Sequence, residues 1–272
     1  MFIIKLLFIF MQIVNNYYSF IFSKKIYKNI INNCVIQKNS LKNNINIQDK
    51  KIITISPAGY NGFYQLGICK YIKENYNLDN FVFSGASAGS WNSLLMCYKG
   101  NIHEIQNKII DDKIQNIKTM IELENDIKNK LLYHYKTEDF DFNKLFIGVT
   151  TIKGIQIFNN FDNLEDAINC CVASSHIPFI TGGVKYTYKN VLSFDGGFSK
   201  FPYLYSKNIV LNINPNLWNN NKKNYSFKIS DYTTIFSKDK FNFISMIENG
   251  YKDCEKNKQY LDNIFMDIYT DK

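Results

Sequence analysis

Ser87 stands between two glycines in Gly85-Ala86-Ser87-Ala88-Gly89, directly after the apolar run Phe81-Val82-Phe83 and just before Trp91, Leu94, Leu95 and Met96. A strand that turns at once into a helix needs small residues on both sides of the turn, and glycine meets that need. The turn lifts the serine hydroxyl clear of the carboxyl edge of a sheet. The helix that follows aims its free N–H groups and positive end at the same spot. The chemistry on offer is nucleophilic attack on an acyl carbon, with Ala88 N–H placed to hold the oxyanion.

Such a serine needs a base. The chain has 3 histidines, His103, His134 and His176. None follows Asp195, so the chain order Ser, Asp, His cannot be built around that aspartate. A triad of Ser87 with Asp111 or Asp112 and His134 would recruit residues from a surface helical stretch. His176, beside Ile177-Pro178, reads as a loop histidine. The remaining choice is a carboxylate. Asp195 follows Val191-Leu192-Ser193-Phe194 and precedes Gly196-Gly197, which sets it at a strand end in a tight turn. Asp-Gly is by itself a common turn signal, so the residues alone leave the base open.

The elements that would position these groups alternate. Ile52-Ile53-Thr54-Ile55, Phe81-Val82-Phe83, Leu145–Thr150, Ile155–Phe158 and Ile209–Ile213 read as strands. The third and fourth read as a pair around Lys153-Gly154. Residues 63–75, the stretch after Ser87, one or two amphipathic segments over 101–135 (Ile102, Ile105, Ile109, Ile110, then Ile117, Met120, Ile121, Leu123), a segment capped by Asn163, and residues 239–266 read as helices. The last carries an apolar repeat at Phe241, Ile244, Ile247, Tyr251, Cys254, Leu261 and Phe265. Strands alternating with helices imply an α/β layered body with a mainly parallel sheet.

Composition narrows the function class. With 272 residues, 46% of them hydrophobic, the chain can bury a sizeable core, and 4 prolines with 13 glycines exclude collagen-like and low-complexity chains. There is no arginine, which argues against sequence-specific nucleic-acid reading, where guanidinium forks dominate. The net charge of +8 is unevenly placed: ten lysines and one acid, Asp49, precede Glu74, while the chain from Glu74 onward holds 22 lysines and 23 acids. The basic arm opens on the apolar run Met1–Val14 and continues through Tyr17–Phe22 to Lys24-Lys25, broken by Lys5, Gln12, Asn15 and Asn16. An apolar run with trailing lysines is a two-signal membrane attachment that would keep the body on the cytosolic side. A packed N-terminal helix and a cleaved signal are the alternatives, although no small-x-small site follows the run. Cys34, Cys69, Cys97, Cys170, Cys171 and Cys254 form no C-x-x-C pair or His/Cys cluster, so they read as reduced core residues and not as metal ligands.

Three blocks in order resemble the patatin-like phospholipases, most closely their adipose triglyceride lipase and adiponutrin branch. Ile55-Ser56-Pro57-Ala58-Gly59-Tyr60-Asn61-Gly62-Phe63-Tyr64-Gln65-Leu66-Gly67 is similar to the family's glycine-rich oxyanion loop and its helix. Gly85-Ala86-Ser87-Ala88-Gly89-Ser90 is similar to its elbow. Ala173-Ser174-Ser175-His176-Ile177-Pro178, followed by Ser193-Phe194-Asp195-Gly196-Gly197-Phe198, is similar to its aspartate motif. The resemblance covers residues about 51–215. It departs in the loop, where only Gly59 and Gly62 remain of the glycines and Pro57 has no N–H to give.

The resemblance implies a three-layer α/β/α patatin-like fold with a mainly parallel central sheet, and a Ser87–Asp195 dyad without histidine. It implies an oxyanion hole from Gly59, Tyr60, Asn61 and Ala88, with Gly85, Gly89, Gly196 and Gly197 shaping the elbow and the dyad turn. It implies hydrolysis of fatty acyl esters of phospholipids or acylglycerols through an acyl-enzyme, with no cofactor and no metal. A lipid-binding scaffold with an impaired oxyanion loop is the alternative. Phe194, Phe198 and Phe201 are expected to bury Asp195 and raise its pKa. The expected organisation is an apolar, basic arm over 1–50, an acyl hydrolase domain over 51–215 and a helical extension over 216–272 packed on it. Residues 1–28 are expected to touch a membrane or lipid-droplet surface, with no specific nucleic-acid partner.

Overall fold

The computed structural model describes residues 49–218 and 242–266, the side chain of Asp112 excepted. The chain divides into Met1–Gln48 and Asp49–Lys272, and the described residues all belong to the second. The proposed membrane arm, the linker, Cys34 and Phe241 lie outside them.

Short β-branched and aromatic runs make the centre of the sheet. β1 (Lys51–Ile55), β2 (Phe81–Gly85) and β7 (Ile209–Ile213) are parallel neighbours, and β2 pairs in parallel with β3 (Leu145–Thr151). All residues of β2 and β3 are buried, which is why they read as unbroken apolar runs and not as alternating ones. β4 (Gly154–Phe158) returns antiparallel along β3, and β6 (Val191–Phe194), with its hairpin partner β5 (Tyr186–Tyr188), joins the end of β3. The order across the sheet is β5-β6-β3-β2-β1-β7, with β4 on β3. Helices cover both faces, giving a mostly parallel three-layer α/β/α body.

The connections supply the helices. α1 (Gly62–Asn75) follows β1, and α2 (Ala88–Met96) follows β2. The stretch over 101–135 resolves into α3 (Ile102–Ile109), a short 3-10 turn (Asp112–Asn116) and α4 (Met120–His134). α5 (Leu164–Ser174) starts where Asn163 Oδ1 accepts from Asp166 N at 2.9 Å, as its sequence signal predicts.

The predicted repeat over 239–266 is two helices, α6 (Phe243–Lys256) and α7 (Lys258–Phe265), separated at Asn257. α6 lies against α1 so closely that a Cβ on Gly67 would stand 2.0 Å from Ile247 O, and one on Gly250 would stand 2.1 Å from Tyr64 O. Phe63 and Phe243 stack at 4.2 Å in the same seam. Two positions leave the predicted apolar faces. Ile121 is 39% exposed because Thr119 caps α4 and the helix face runs through Met120, Leu123 and Ile127, out of phase with Ile117. Ile244 is 36% exposed one residue past the buried Phe243. Cys69, Cys97, Cys170, Cys171 and Cys254 are buried free thiols.

Candidate active site

The elbow is built by steric exclusion. A Cβ on Gly85 would come within 2.1 Å of Gly89 O, and one on Gly89 within 2.1 Å of Ile55 O. With nothing but hydrogen at those two positions, β2 can turn into α2 against the end of β1. Ser87 takes the strain of that turn, with φ 53° and ψ −130°, a region a side-chain-bearing residue occupies only when its surroundings enforce it. The enforcing contacts are visible. Ser87 N donates to Ser174 Oγ at 2.8 Å, and that hydroxyl donates to Gly148 O at 2.7 Å. Ser90 Oγ donates to Ser87 O at 2.6 Å.

Ser174 therefore ties the elbow to β3. Replacing it by alanine leaves Ser87 N–H and Gly148 O without partners in a fully buried place. Ser174→Ala is expected to lower stability by about 1–3 kcal/mol and to slow reaction of Ser87 with a fluorophosphonate probe. Thermal melting and labelling rate, measured together, check it; an unchanged labelling rate would remove the positioning role.

The Ser87 hydroxyl donates to Asp195 Oδ2 at 2.6 Å, a length typical of a charge-assisted O–H···O⁻ bond. Asp195 sits at the start of the turn after β6. Its second oxygen, Oδ1, accepts from Gly197 N at 2.6 Å, and its own N–H donates to His176 O at 2.7 Å. Both residues are nearly closed to solvent, Ser87 at 7% and Asp195 at 5% exposure. That burial pushes the Asp195 carboxyl up to about 6, although the bonds from Ser87 and Gly197 pull the other way.

Of the three aromatic residues expected to enclose Asp195, Phe201 turns away from it. Phe201 is 45% exposed and packs edge-on against Tyr203. Instead Ala86 lies under Gly196, Pro57 lies against Gly197, and Ile177 lines the same cavity as Asp195.

The loop after β1 enters as a 3-10 turn, Gly59–Asn61, with Gly59 at φ 54°. Gln65 anchors its base, its Nε2 donating to Ser56 Oγ at 2.9 Å, Ser56 O at 3.0 Å and Ile213 O at 3.3 Å. Asn61 N donates to Ala58 O at 3.1 Å. The turn thus spends one N–H that the sequence assigns to an oxyanion. Tyr60 is buried with its ring on Phe243, 5.3 Å between centroids. Among the described residues the N–H groups of Gly59 and Ala88 make no internal hydrogen bond, and both residues line a cavity of about 100 Å³ that contains Ser87 and Asp195.

The histidine alternatives come apart. His134 is exposed at the end of α4, with its ring on Tyr133, and Asp111 pairs with Lys130 at 3.0 Å. His103 pairs with Glu74 at 3.1 Å. His176 is buried, but among the described residues its Nε2 has no partner, and burial holds its pKa below the usual value. It contributes a backbone carbonyl to Asp195 and does not line the cavity.

Beyond the polar end, the cavity runs between α1, α2, α3 and α4 past Leu66, Leu95, Ile109, Leu123, Ile127 and Leu131. Asn92, Ser175, Thr181 and Glu124 add polar groups to that lining; sequence reasoning passed over Glu124 together with Ser174 and Gln65. Its signal was present. Glu124 lies four residues after Met120 and three before Ile127, on the apolar face of α4.

A protein-family model described as patatin-like phospholipase matches residues 54–206, more than half of the chain, from the end of β1 past the turn that carries Asp195. No curated protein matches the chain.

Proposed function

The chain belongs to the patatin-like phospholipase family, whose members are lipid acyl hydrolases, and from that membership we propose that it hydrolyses fatty acyl esters of phospholipids or acylglycerols with Ser87 as nucleophile and Asp195 as base. The observation that carries the reading is the 2.6 Å bond from the Ser87 hydroxyl to a buried carboxylate beside an apolar cavity.

The steps follow from those groups. Asp195 Oδ2 accepts the Ser87 proton as Oγ attacks the ester carbonyl. The oxyanion takes the N–H groups of Gly59 and Ala88, each such donor being worth about 2.7–4 kcal/mol. The tetrahedral adduct collapses, the C–O bond to the alcohol breaks, and Asp195 returns its proton to that leaving oxygen. The acyl chain, now on Ser87, lies along the apolar wall. Water then attacks the acyl-enzyme, Asp195 takes its proton, and the carboxylic acid leaves as Ser87 regains a hydrogen. The intact donor pair supports an active enzyme over a scaffold with a damaged loop.

Product analysis tests the proposal. Phosphatidylcholine vesicles and triacylglycerol emulsions incubated with the protein are expected to release free fatty acid, and Ser87 is expected to carry a fluorophosphonate label. An unlabelled Ser87 would support the scaffold reading.

The apolar and basic segment 1–28 lies outside the described residues, and no described helix is long and apolar enough to cross a membrane. Contact of that segment with lipid is part of the proposal. Flotation of the full chain and of one lacking residues 1–28 with anionic liposomes checks it; equal binding would remove the segment's role.

A further inference from the structure

The family match ends at residue 206, and α6 lies beyond it. Phe243, the first residue of α6, is fully buried against two rings. It stacks on Phe63 with centroids 4.2 Å apart and leans on Tyr60 at 5.3 Å. Phe63 lines the cavity with Ser87 and Gly59, and Tyr60 is the middle residue of the Gly59–Asn61 turn. The Phe243 ring is fixed from its own side as well. Phe243 N donates to Gln115 Oε1 at 2.9 Å, and Asn242 Oδ1 caps α6 by accepting from Ser245 N at 2.9 Å. Further along α6, the Tyr64 hydroxyl donates to Asp253 Oδ2 at 2.8 Å. Between those points Gly67 and Gly250 bring the two helix backbones into contact.

The loop needs such a seat. Gly59 sits at φ 54° and has no side chain to hold it there. Within the turn Asn61 N donates to Ala58 O, and Gly62 N donates to Gly59 O and Tyr60 O. Those bonds close the turn, but its aim toward Ser87 comes from outside. On one side Asn92, one turn after Ala88 on α2, donates from Nδ2 to Gly62 O at 3.0 Å. A Cβ on Gly62 would stand 2.7 Å from Ala88 Cβ, so the end of the loop rests on the elbow helix. On the other side the buried Tyr60 ring rests on Phe243. Without the Phe243 ring, Tyr60 and Phe63 would both face a void. Close-packed neighbours relax partway into such a space, and the Gly59 N–H would move with them.

We infer that Phe243 is a positioning residue for the oxyanion hole: from a helix outside the family-matched span it seats Tyr60 and Phe63, and so holds the Gly59 N–H in line with the Ala88 N–H beside Ser87. This rests on the reading of Ser87 as nucleophile and Gly59 as donor, and it adds a requirement of that same site. A misplacement of about 1 Å in such a group costs up to about 10²-fold in rate. The cost falls on the transition state, where the oxyanion exists, and not on the bound ester. The effect therefore appears in kcat, with KM kept.

The experiment compares the full-length protein with Phe243→Ala and with Phe265→Ala. The second is an equal truncation in α7, where Phe265 packs on Tyr76 and Phe81 at the opposite end of α1 from the loop. Hydrolysis of p-nitrophenyl octanoate in neutral detergent micelles and the rate of fluorophosphonate labelling are read well below each melting temperature. Phe243→Ala is expected to lower kcat by about 10- to 10²-fold with KM within about twofold, and to slow labelling in parallel. Its acid limb in kcat is expected to stay in place, because the Asp195 contacts are untouched. Phe265→Ala is expected to melt earlier and to keep kcat. If Phe243→Ala does not fold, Phe243→Leu against Phe265→Leu decides on the same readouts. Unchanged kcat and labelling in the folded Phe243 variant, a loss carried wholly by KM, or an equal loss in the Phe265 variant overturns the inference. With Ser87 labelled in the unmodified protein, any of these sinks the inference alone. An unmodified protein that neither cleaves the ester nor labels at Ser87 sinks the nucleophile assignment and the inference with it.

Discussion

Ser87→Ala is expected to lower fatty acid release by about 10⁶-fold, the scale seen when an acyl-transfer nucleophile is removed, while the protein stays folded. The physical grounds are the uniqueness of the hydroxyl and the independence of the fold from it. Ser87 Oγ is bonded to Asp195 Oδ2, and among the described residues the nearby N–H groups of Gly59 and Ala88 make no internal hydrogen bond and no other hydroxyl bonds Asp195. The elbow is held by backbone contacts of Ser87, its N–H to Ser174 Oγ and its carbonyl from Ser90 Oγ, which alanine preserves. Alanine also tolerates the positive φ no worse than serine does, so the strained turn survives. Loss of release together with loss of fluorophosphonate labelling, at an unchanged melting temperature, is the expected result. Hydrolysis retained by the folded variant would show that the nucleophile lies elsewhere.

Asp195→Asn gives the second large effect, and it has opposite signs on activity and stability. The amide is isosteric. Its oxygen accepts from Gly197 N as before, and its NH₂ faces Ser87 Oγ, which must then accept where it had donated. The geometry is kept and the base is lost, so kcat falls by about 10²–10⁴-fold or more. The unmodified enzyme should show an acid limb in kcat/KM near pH 6, rising with pH as the carboxyl ionises, because burial raises this pKa to about 6.

The same shift fixes the stability change. A buried carboxyl that holds its proton to about pH 6, against 3.8 for the reference, carries no ionisation penalty below the lower value and the full penalty above the upper one. Wild-type stability therefore falls relative to the variant as pH rises from about 4 to 6. Above that window Asp195→Asn is expected to be the more stable protein by on the order of 3 kcal/mol. Melting temperatures of the two proteins at pH 5 and pH 8 check this; a gap that shrinks at pH 8 would contradict a raised Asp195 pKa. The trade is the one expected of a site whose reactive group is kept in an unfavourable setting.

Local pattern carried a large share of this protein. The apolar runs at Ile52–Ile55, Phe81–Phe83 and Ile209–Ile213 could only be buried strands, because each is too short for a helix and is bounded by turn residues. Gly85 and Gly89 were legible for the same kind of reason: a serine cannot be held at that turn with a Cβ on either neighbour, and the requirement is written in adjacent residues. The Asn163 cap, the hairpin at Lys153-Gly154 and the apolar faces of α3 and α5 are likewise short-range. So was the likeness of three ordered blocks to one family, which drew Ser87 and Asp195 together on paper.

What the folded chain alone decided depends on separations of many residues. The pairing of Ser87 with Asp195, 108 positions apart, follows from β3 lying between β2 and β6 in the sheet. Asn61 loses its role as donor because a 3-10 turn closes on Ala58, a choice between backbone bonds that side-chain types do not encode. Phe201 turns outward while Ala86 and Pro57 close over the dyad turn. Glu124, a charged residue on a predicted surface helix, lines the same cavity as Ser87 and Asp195. Side-chain identity sets local periodicity and turn geometry through sterics over a few residues. Which groups share a cavity is set by how the layers pack, and packing is a property of all the elements at once.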